Sequence, residues 1–216
     1  FFGINIGPNK DSEDKVNDYL ECFKKFYNVC DYITINISSP NTENLRNFHN
    51  QEELKNLLKQ VNLHRKKLKP NLPLCVKISP DISDNQIDII CDILLSEEID
   101  AINVSNSSDG MRGNLKNVNR LEKGGLSGKP IEIKSNMLIK KFYKSLNGKI
   151  KIIGTGGIDS GLGALEKIKS GASMVQLYTG MVFKGPNIAY DINKQLLKVL
   201  DEQGFKSLKD AIGSQI

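Results

Sequence analysis

The sequence predicts an α/β fold built on a parallel sheet, and two observations carry that expectation. Short apolar, β-branched segments alternate six times with amphipathic helical segments along 216 residues. This is the pattern of repeated βα units whose strands are covered on both faces. Amide, hydroxyl and glycine residues also follow every one of these strands. In a closed barrel such ends meet on one face, where active sites are built. The fold expected is therefore a (β/α)8 TIM barrel, which needs eight units and about 250 residues; about six units, the third to the eighth, are present. An open doubly wound sheet is the alternative, weakened by where the polar residues fall.

Taken in order, residues 1–6 read as the first strand. A chain that opens inside an apolar strand implies residues in front of it. Asp11 or Ser12 is placed to cap a helix reaching about Asn28, with Val16, Tyr19, Leu20 and Phe23 on one face. A strand at 32–37 runs into a polar stretch that Pro40 turns away from regular structure. A helix at about 51–67 leads to a strand at 74–78, ended by Ser79-Pro80-Asp81. Ser83 then caps a helix that buries Ile87, Ile90, Leu94 and Leu95. Strands at 101–105, 150–153 and 174–177 alternate with helices at 131–146, 162–170 and 188–203. The whole of 1–216 reads as one domain, incomplete at its N-terminal side.

Composition narrows the function. The net charge of +5 is mild, and lysines and arginines are spread along the chain. No basic stripe with interleaved aromatics is present, so no nucleic-acid partner is expected. No run approaches the roughly 18 apolar residues of a membrane span, and no signal peptide is visible. Cys22, Cys30, Cys75 and Cys91 are scattered without a C-x-x-C pair, which suits a reducing compartment. Cys75 and Cys91 read as buried thiols. His49 and His64 fall in a polar loop and a charged helix, so neither a metal site nor Cys–His chemistry is expected.

The polar ends suggest chemistry. After the second strand, Asn36-Ile37-Ser38-Ser39-Pro40-Asn41-Thr42 offers donors and acceptors without net charge, suited to a small planar ligand with amide N–H and C=O groups. A polar turn is the plainer reading. Gly154-Thr155-Gly156-Gly157-Ile158 and Tyr178-Thr179-Gly180 follow the last two strands, the usual place of a phosphate cradle in phosphate-binding barrels. A dinucleotide fingerprint fails, because Asp159 stands where its third glycine would be. Lys77, two residues from the end of an apolar strand, can point inward, where it needs a phosphate, an anionic cofactor or a structural carboxylate. Glu122 to Pro130 is glycine-rich but lacks Walker A spacing; Gly128 suits either a backbone contact to a cofactor or a flexible turn.

Together the segments INIGPNK, INISSPNT, VKISPD, VSNSS, GGLSGKP, IIGTGGI, VQLYTG and VFKGP, in order from residue 1 to about residue 186, resemble the class 2, quinone-reducing dihydroorotate dehydrogenases. The tail LKDAIG also looks familial. The resemblance implies an FMN-containing (β/α)8 barrel that oxidises (S)-dihydroorotate to orotate in de novo pyrimidine (UMP) synthesis. It implies Ser39 as catalytic base, where class 1 relatives have cysteine. It also implies Asn36, Asn41, Asn106 and Ser107 at the substrate, and Asn5, Asn36, Lys77, Ser105, Gly128, Gly157, Tyr178 and Thr179 at FMN. Quinone would be received by N-terminal helices not in this sequence, with the parent protein peripheral to a bacterial cytoplasmic membrane or a mitochondrial inner membrane. Ser105 and Ser107 stand where many members have threonine, Thr179 where serine is common, and Glu43-Asn44 where Pro-Gly is familiar. Another FMN-dependent pyrimidine oxidoreductase, or an inactive piece of the barrel, is the alternative.

Overall fold

The computed structural model of the chain describes every residue except Glu43. Strands β1 (Gly3–Ile6), β2 (Tyr32–Asn36), β3 (Leu74–Lys77), β4 (Ala101–Val104), β5 (Lys151–Thr155) and β6 (Met174–Gln176) form one sheet. All pairings are parallel and strictly sequential. Helices α1 (Lys15–Phe26), α2 (Gln51–Leu68), α3 (Asp84–Ser96), α4 (Glu132–Leu146) and α5 (Gly161–Lys169) lie between successive strands, with α4 and β5 following β4. After β6 come α6 (Thr179–Lys184), α7 (Ile188–Glu202) and α8 (Leu208–Ala211).

This order settles the choice between architectures. A doubly wound sheet reverses its strand order at a switch point, and none occurs here. The sheet also curls. Asn103 of β4 donates to the Gln176 side-chain carbonyl of β6 at 2.6 Å, and the Gln176 amide donates to the Tyr32 hydroxyl of β2 at 3.3 Å. Among the described residues β1 pairs only with β2, and β6 only with β5. The architecture is six consecutive units of a (β/α)8 barrel, curved but not closed.

Alternation along the strands separates two environments. Ile33, Ile35, Leu74, Val76, Ile102 and Val104 face the helices and are buried. There they join Tyr19 and Phe23 of α1, Leu54, Leu58 and Val61 of α2, Ile90 and Leu94 of α3 and Phe142 of α4 in one continuous core. Residues of the other parity face the concave side. Lys77 lies in register between Asn36 and Asn103, so the three occupy one layer of that face. A second cluster, Leu165, Ile168, Leu196 and Leu200, packs α5 against α7.

Local signals explain most boundaries. Ser83 and Gln86 make a full capping box at the start of α3. The cap of α1 is Asp14, whose carboxylate accepts from Asn17 N–H, and not Asp11 or Ser12. The apolar stripe of α1 begins only at Val16 and Tyr19, so an earlier start would add a turn with nothing to bury. The loop expected at Tyr178-Thr179-Gly180 is in fact the entry to α6. Cys30, Cys75 and Cys91 are buried free thiols.

One core contact reaches the polar loop directly. The fully buried Tyr19 donates its hydroxyl to the Asn36 carbonyl at 2.7 Å. Tyr19→Phe leaves that carbonyl without its partner and is expected to lower stability by about 1–2 kcal/mol. Urea denaturation measures this, with an unchanged m-value; a midpoint equal to wild type would show that the bond contributes nothing.

Candidate functional site

Because every strand runs the same way, the residues after the strands share one face. They enclose a cleft of about 700 Å³. Asn41, Lys77, Ser105, Asn106, Ser107, Gly128, Gly157, Tyr178 and Thr179 line it. Three expected residues stand outside this lining. Asn5 is exposed at the end of β1, in register with Thr34 and thus on the concave side. Asn36 is turned toward Ser38. Ser39 is half-buried in the turn that carries Asn41, and its hydroxyl accepts from Asn41 N–H at 3.3 Å. The Glu43 half of the Glu43-Asn44 departure lies outside the described residues; Asn44 has φ 56°.

One end of the cleft is made of backbone. Gly156 and Gly157 have φ of +117° and +79°, which side chains disfavour. A Cβ on Gly157 would come within 2.8 Å of the Glu132 Cα, and one on Gly156 within 3.0 Å of Ile131. The loop is pressed onto the start of α4 and turns its main chain to the cleft. Gly128 approaches Thr179 just as closely, and the Thr179 hydroxyl donates to Ser127 at 2.9 Å. Lys129 and Lys184 flank this end and share Asp159 at 3.5 and 3.6 Å. Both lysines stand in segments of the family pattern, GGLSGKP and VFKGP.

The other end is made of side chains. Ser38, fully buried, donates to Asn36 Oδ1 at 2.9 Å and accepts from Asn106 Nδ2 at 3.1 Å. Ser107 N–H donates to Asn106 Oδ1 at 2.8 Å. Ser38 thus orients two of the expected substrate amides, a role the neighbouring Ser39 had obscured. Between the two ends stands Lys77. Burial pushes its pKa down, with Cys75 opposing, and among the described residues no carboxylate lies within ion-pair distance of it.

Arg46 holds the rim. Its guanidinium donates to Asp109 at 2.7 Å, Asp81 at 3.3 Å and the Ser107 carbonyl at 3.2 Å. Asp81 also accepts from Ser108 Oγ, Asp109 N–H and Lys134. Burial alone would raise the Asp81 carboxyl, but these hydrogen bonds outweigh it and hold the pKa below its usual value. Among the described residues no cluster of His, Cys, Asp or Glu could hold a metal ion, and no helix is long and apolar enough to cross a membrane.

His49 ties the segment after β2 to the loop after β3. The loop that carries it is polar, yet the residue is 2% exposed. Its Nδ1 lies 2.9 Å from the Arg46 carbonyl, and its Nε2 lies 3.0 Å from Ser79 N. The Ser79 amide can only donate, so Nε2 is the acceptor and Nδ1 carries the proton. Burial lowers the pKa of this imidazole from 6.5 to about 4. The folded state therefore keeps it neutral while the unfolded chain protonates near 6.5. Stability is expected to fall as pH drops from about 6.5 to about 4, by roughly 3 kcal/mol in all. Urea midpoints across that window measure it. His49→Gln should flatten the curve, and an equally steep fall in that variant would remove His49 as its cause.

Comparison with known proteins agrees with this geometry. The family model described as dihydroorotate dehydrogenase matches residues 1–200. A Bartonella henselae protein named dihydroorotate dehydrogenase (quinone) is 40% identical over 211 residues, covering 96% of this chain and 58% of the relative. A mitochondrial protein of that name from Mus musculus is 41% identical over 213 residues, 98% of this chain and 54% of the relative. The ligand-free crystal structure of the Eimeria tenella dihydroorotate dehydrogenase superposes with a TM-score of 0.95 at 34% identity, covering 99% of this chain and 63% of that one. The chain thus spans less than two thirds of the length of these relatives. With a family match over nearly all of its length and the same fold, the chain belongs to the dihydroorotate dehydrogenase family.

Proposed function

We propose that this chain forms the cofactor and substrate face of an enzyme that oxidises (S)-dihydroorotate to orotate in pyrimidine synthesis, with FMN as cofactor and a quinone as final acceptor. The observation that carries the reading is the cleft itself: a backbone-lined anion cradle at one end, an amide set at the other, and unpaired Lys77 between them. FMN has the matching sequence of parts, a phosphate and then a ring that carries negative charge when reduced. The fit is supported by Gly128 and Gly157, which have no room for a Cβ against Thr179 and Glu132 and so present bare main chain to the cleft.

The residues divide the work as follows. Gly156, Gly157, Thr179 and Gly128 would hold the phosphate with main-chain N–H groups. Lys77, desolvated and facing the cleft, places a cation beside the ring. Asn41, Asn106 and Ser107 read the amide edges of dihydroorotate, with Asn36 and Asn106 held through Ser38. A ligand without those amides would strand buried donors and acceptors, which gives specificity. When bound, FMN supplies the acceptor for the hydride from C6 of the substrate. Ser39 takes the proton from C5. A serine hydroxyl works as a base only if its own proton moves on, and its half-buried position leaves solvent in reach to take it. Since Ser39 stands outside the cleft lining, its loop must settle over the bound substrate for that transfer. For the whole protein, a quinone acceptor implies peripheral contact with a bacterial cytoplasmic or mitochondrial inner membrane; the names of the relatives support this.

An absorption spectrum with FMN, before and after anaerobic dihydroorotate, tests the reading. Bound flavin that bleaches is the expected result, and Ser39→Ala should bind FMN yet lose bleaching. Undiminished bleaching in that variant removes Ser39 from the proton transfer. Flavin that binds but ignores dihydroorotate overturns the substrate assignment.

A further inference from the structure

Lys167 of α5 is fully buried, although a lysine is almost never buried without a partner of opposite charge. Its ammonium donates to Ser135 Oγ at 3.0 Å and to Asn136 Oδ1 at 2.8 Å. Both partners are neutral, and no carboxylate lies within ion-pair distance among the described residues. Glu132 of α4 favours the charged form from farther away, Lys129 opposes it, and burial dominates, lowering the pKa to about 7. Such a charge costs several kcal/mol of desolvation, and a well-packed apolar side chain serves stability as well or better.

Its position suggests what the charge is for. Ser135 Oγ, while accepting from Lys167, donates to the Thr155 carbonyl at 2.7 Å. Thr155 ends β5 and opens the Gly156-Gly157 loop. A Cβ on Gly154 would meet the Lys167 stem at 3.2 Å, and one on Gly156 would meet Ser135 at 3.4 Å. The loop is therefore sandwiched, with the cleft in front, Ser135 behind it and the Lys167 ammonium two hydrogen bonds from its first carbonyl.

We infer that Lys167 is a positioning residue for the anion cradle: from behind the Thr155-Gly156-Gly157 loop it anchors the main chain through Ser135 and supplies the buried counter-charge for a phosphate bound in front. The inference rests on the reading of that loop as a phosphate site. Lys167 touches neither phosphate nor ring. Its charge acts across a glycine backbone too thin to screen it, in surroundings of low dielectric constant. Gly154 and Gly156 then leave room behind the loop, for the lysine stem at the first and for Ile131 and Ser135 at the second.

FMN and riboflavin differ only in the phosphate, so the ratio of their affinities isolates its contribution. Flavin fluorescence titrations of the chain are expected to give a clear preference for FMN. Lys167→Met keeps the volume and removes the charge; it should cut that preference roughly tenfold or more, leave riboflavin binding unchanged and keep or raise the melting temperature. Ser135→Ala keeps the charge but cuts the link to Thr155, and should lower the preference by a smaller factor. It also serves as the test should Lys167→Met fail to fold. A preference unchanged in whichever variant folds, or FMN and riboflavin affinities falling together, overturns the role of Lys167. Wild-type chain with no preference for FMN, including one that binds neither flavin, overturns the phosphate reading itself, and the inference falls with it.

Discussion

The geometry of the cleft depends on Arg46. The loops after β2, β3 and β4 have little regular structure of their own, yet they must place Asn36, Asn41, Asn106 and Ser107 around one small volume. Arg46 reaches all three, through Asp81, Asp109 and the Ser107 carbonyl. Lys134 of α4 joins at Asp81, so two cations face two carboxylates and the cluster is neutral overall. A planar guanidinium with several fixed donors suits such bridging, where a lysine would act as a single point charge. Arg46 and Asp81 are partly exposed, so the ion pairs add little stability by themselves. Their value lies in register: they convert three independent turns into one rim.

What could be read from the sequence follows from the range of the interaction that fixes each feature. Strand and helix periods, the Ser83 capping box and the polar strand ends are local, and the six units with their active face were legible from them. The inward direction of Lys77 followed from period 2 alone. Pairings across sequence were not legible. Arg46 to Asp109 spans 63 residues and Lys167 to Ser135 spans 32, and no local pattern marks either. His49 has polar neighbours in sequence, whereas the donor to its Nε2 is Ser79 of another loop. Strand alternation says which side a serine faces, but not that Ser38 meets the side chains of Asn36 and Asn106 there.

The lysines around the cleft show how one residue type takes several roles. Lys129 and Lys184 sit at its mouth and share Asp159, so their charges are largely compensated and solvated. Among the described residues no carboxylate lies within ion-pair distance of the partly buried Lys77 or the fully buried Lys167, and burial lowers both pKa values. A protein tolerates uncompensated buried cations only where an anion completes them or where stability is given up for function. These two lie on either side of the strand-end layer, one facing the cleft and one behind its glycine loop. On the proposed reading, a flavin phosphate and a reduced flavin ring would supply the negative charge that these two lysines lack.

Thr155 joins the two ends. Its carbonyl accepts from Ser135 Oγ and also from Ser105 N–H at 3.1 Å, so α4 and the β4 loop share one acceptor at the start of the Gly156-Gly157 loop. Its hydroxyl donates to Asn103 Oδ1 at 2.9 Å, and Asn103 continues through Gln176 to Tyr32 across the concave face. A shift of α4 that moved Ser135 would therefore be felt both at the Gly156-Gly157 loop and where Ser105, Asn106 and Ser107 line the cleft. The same chain of hydrogen bonds crosses from β5 through β4 and β6 to β2, holding the sheet in its curl with side chains where strand pairing does not close it. Polar residues at these inner positions cost desolvation that an apolar interior would avoid, but every one of them is satisfied by a neighbour. The inner face can then stay wet and open enough to admit a ligand, while the outer, apolar face alone supplies the core that holds the strands in place.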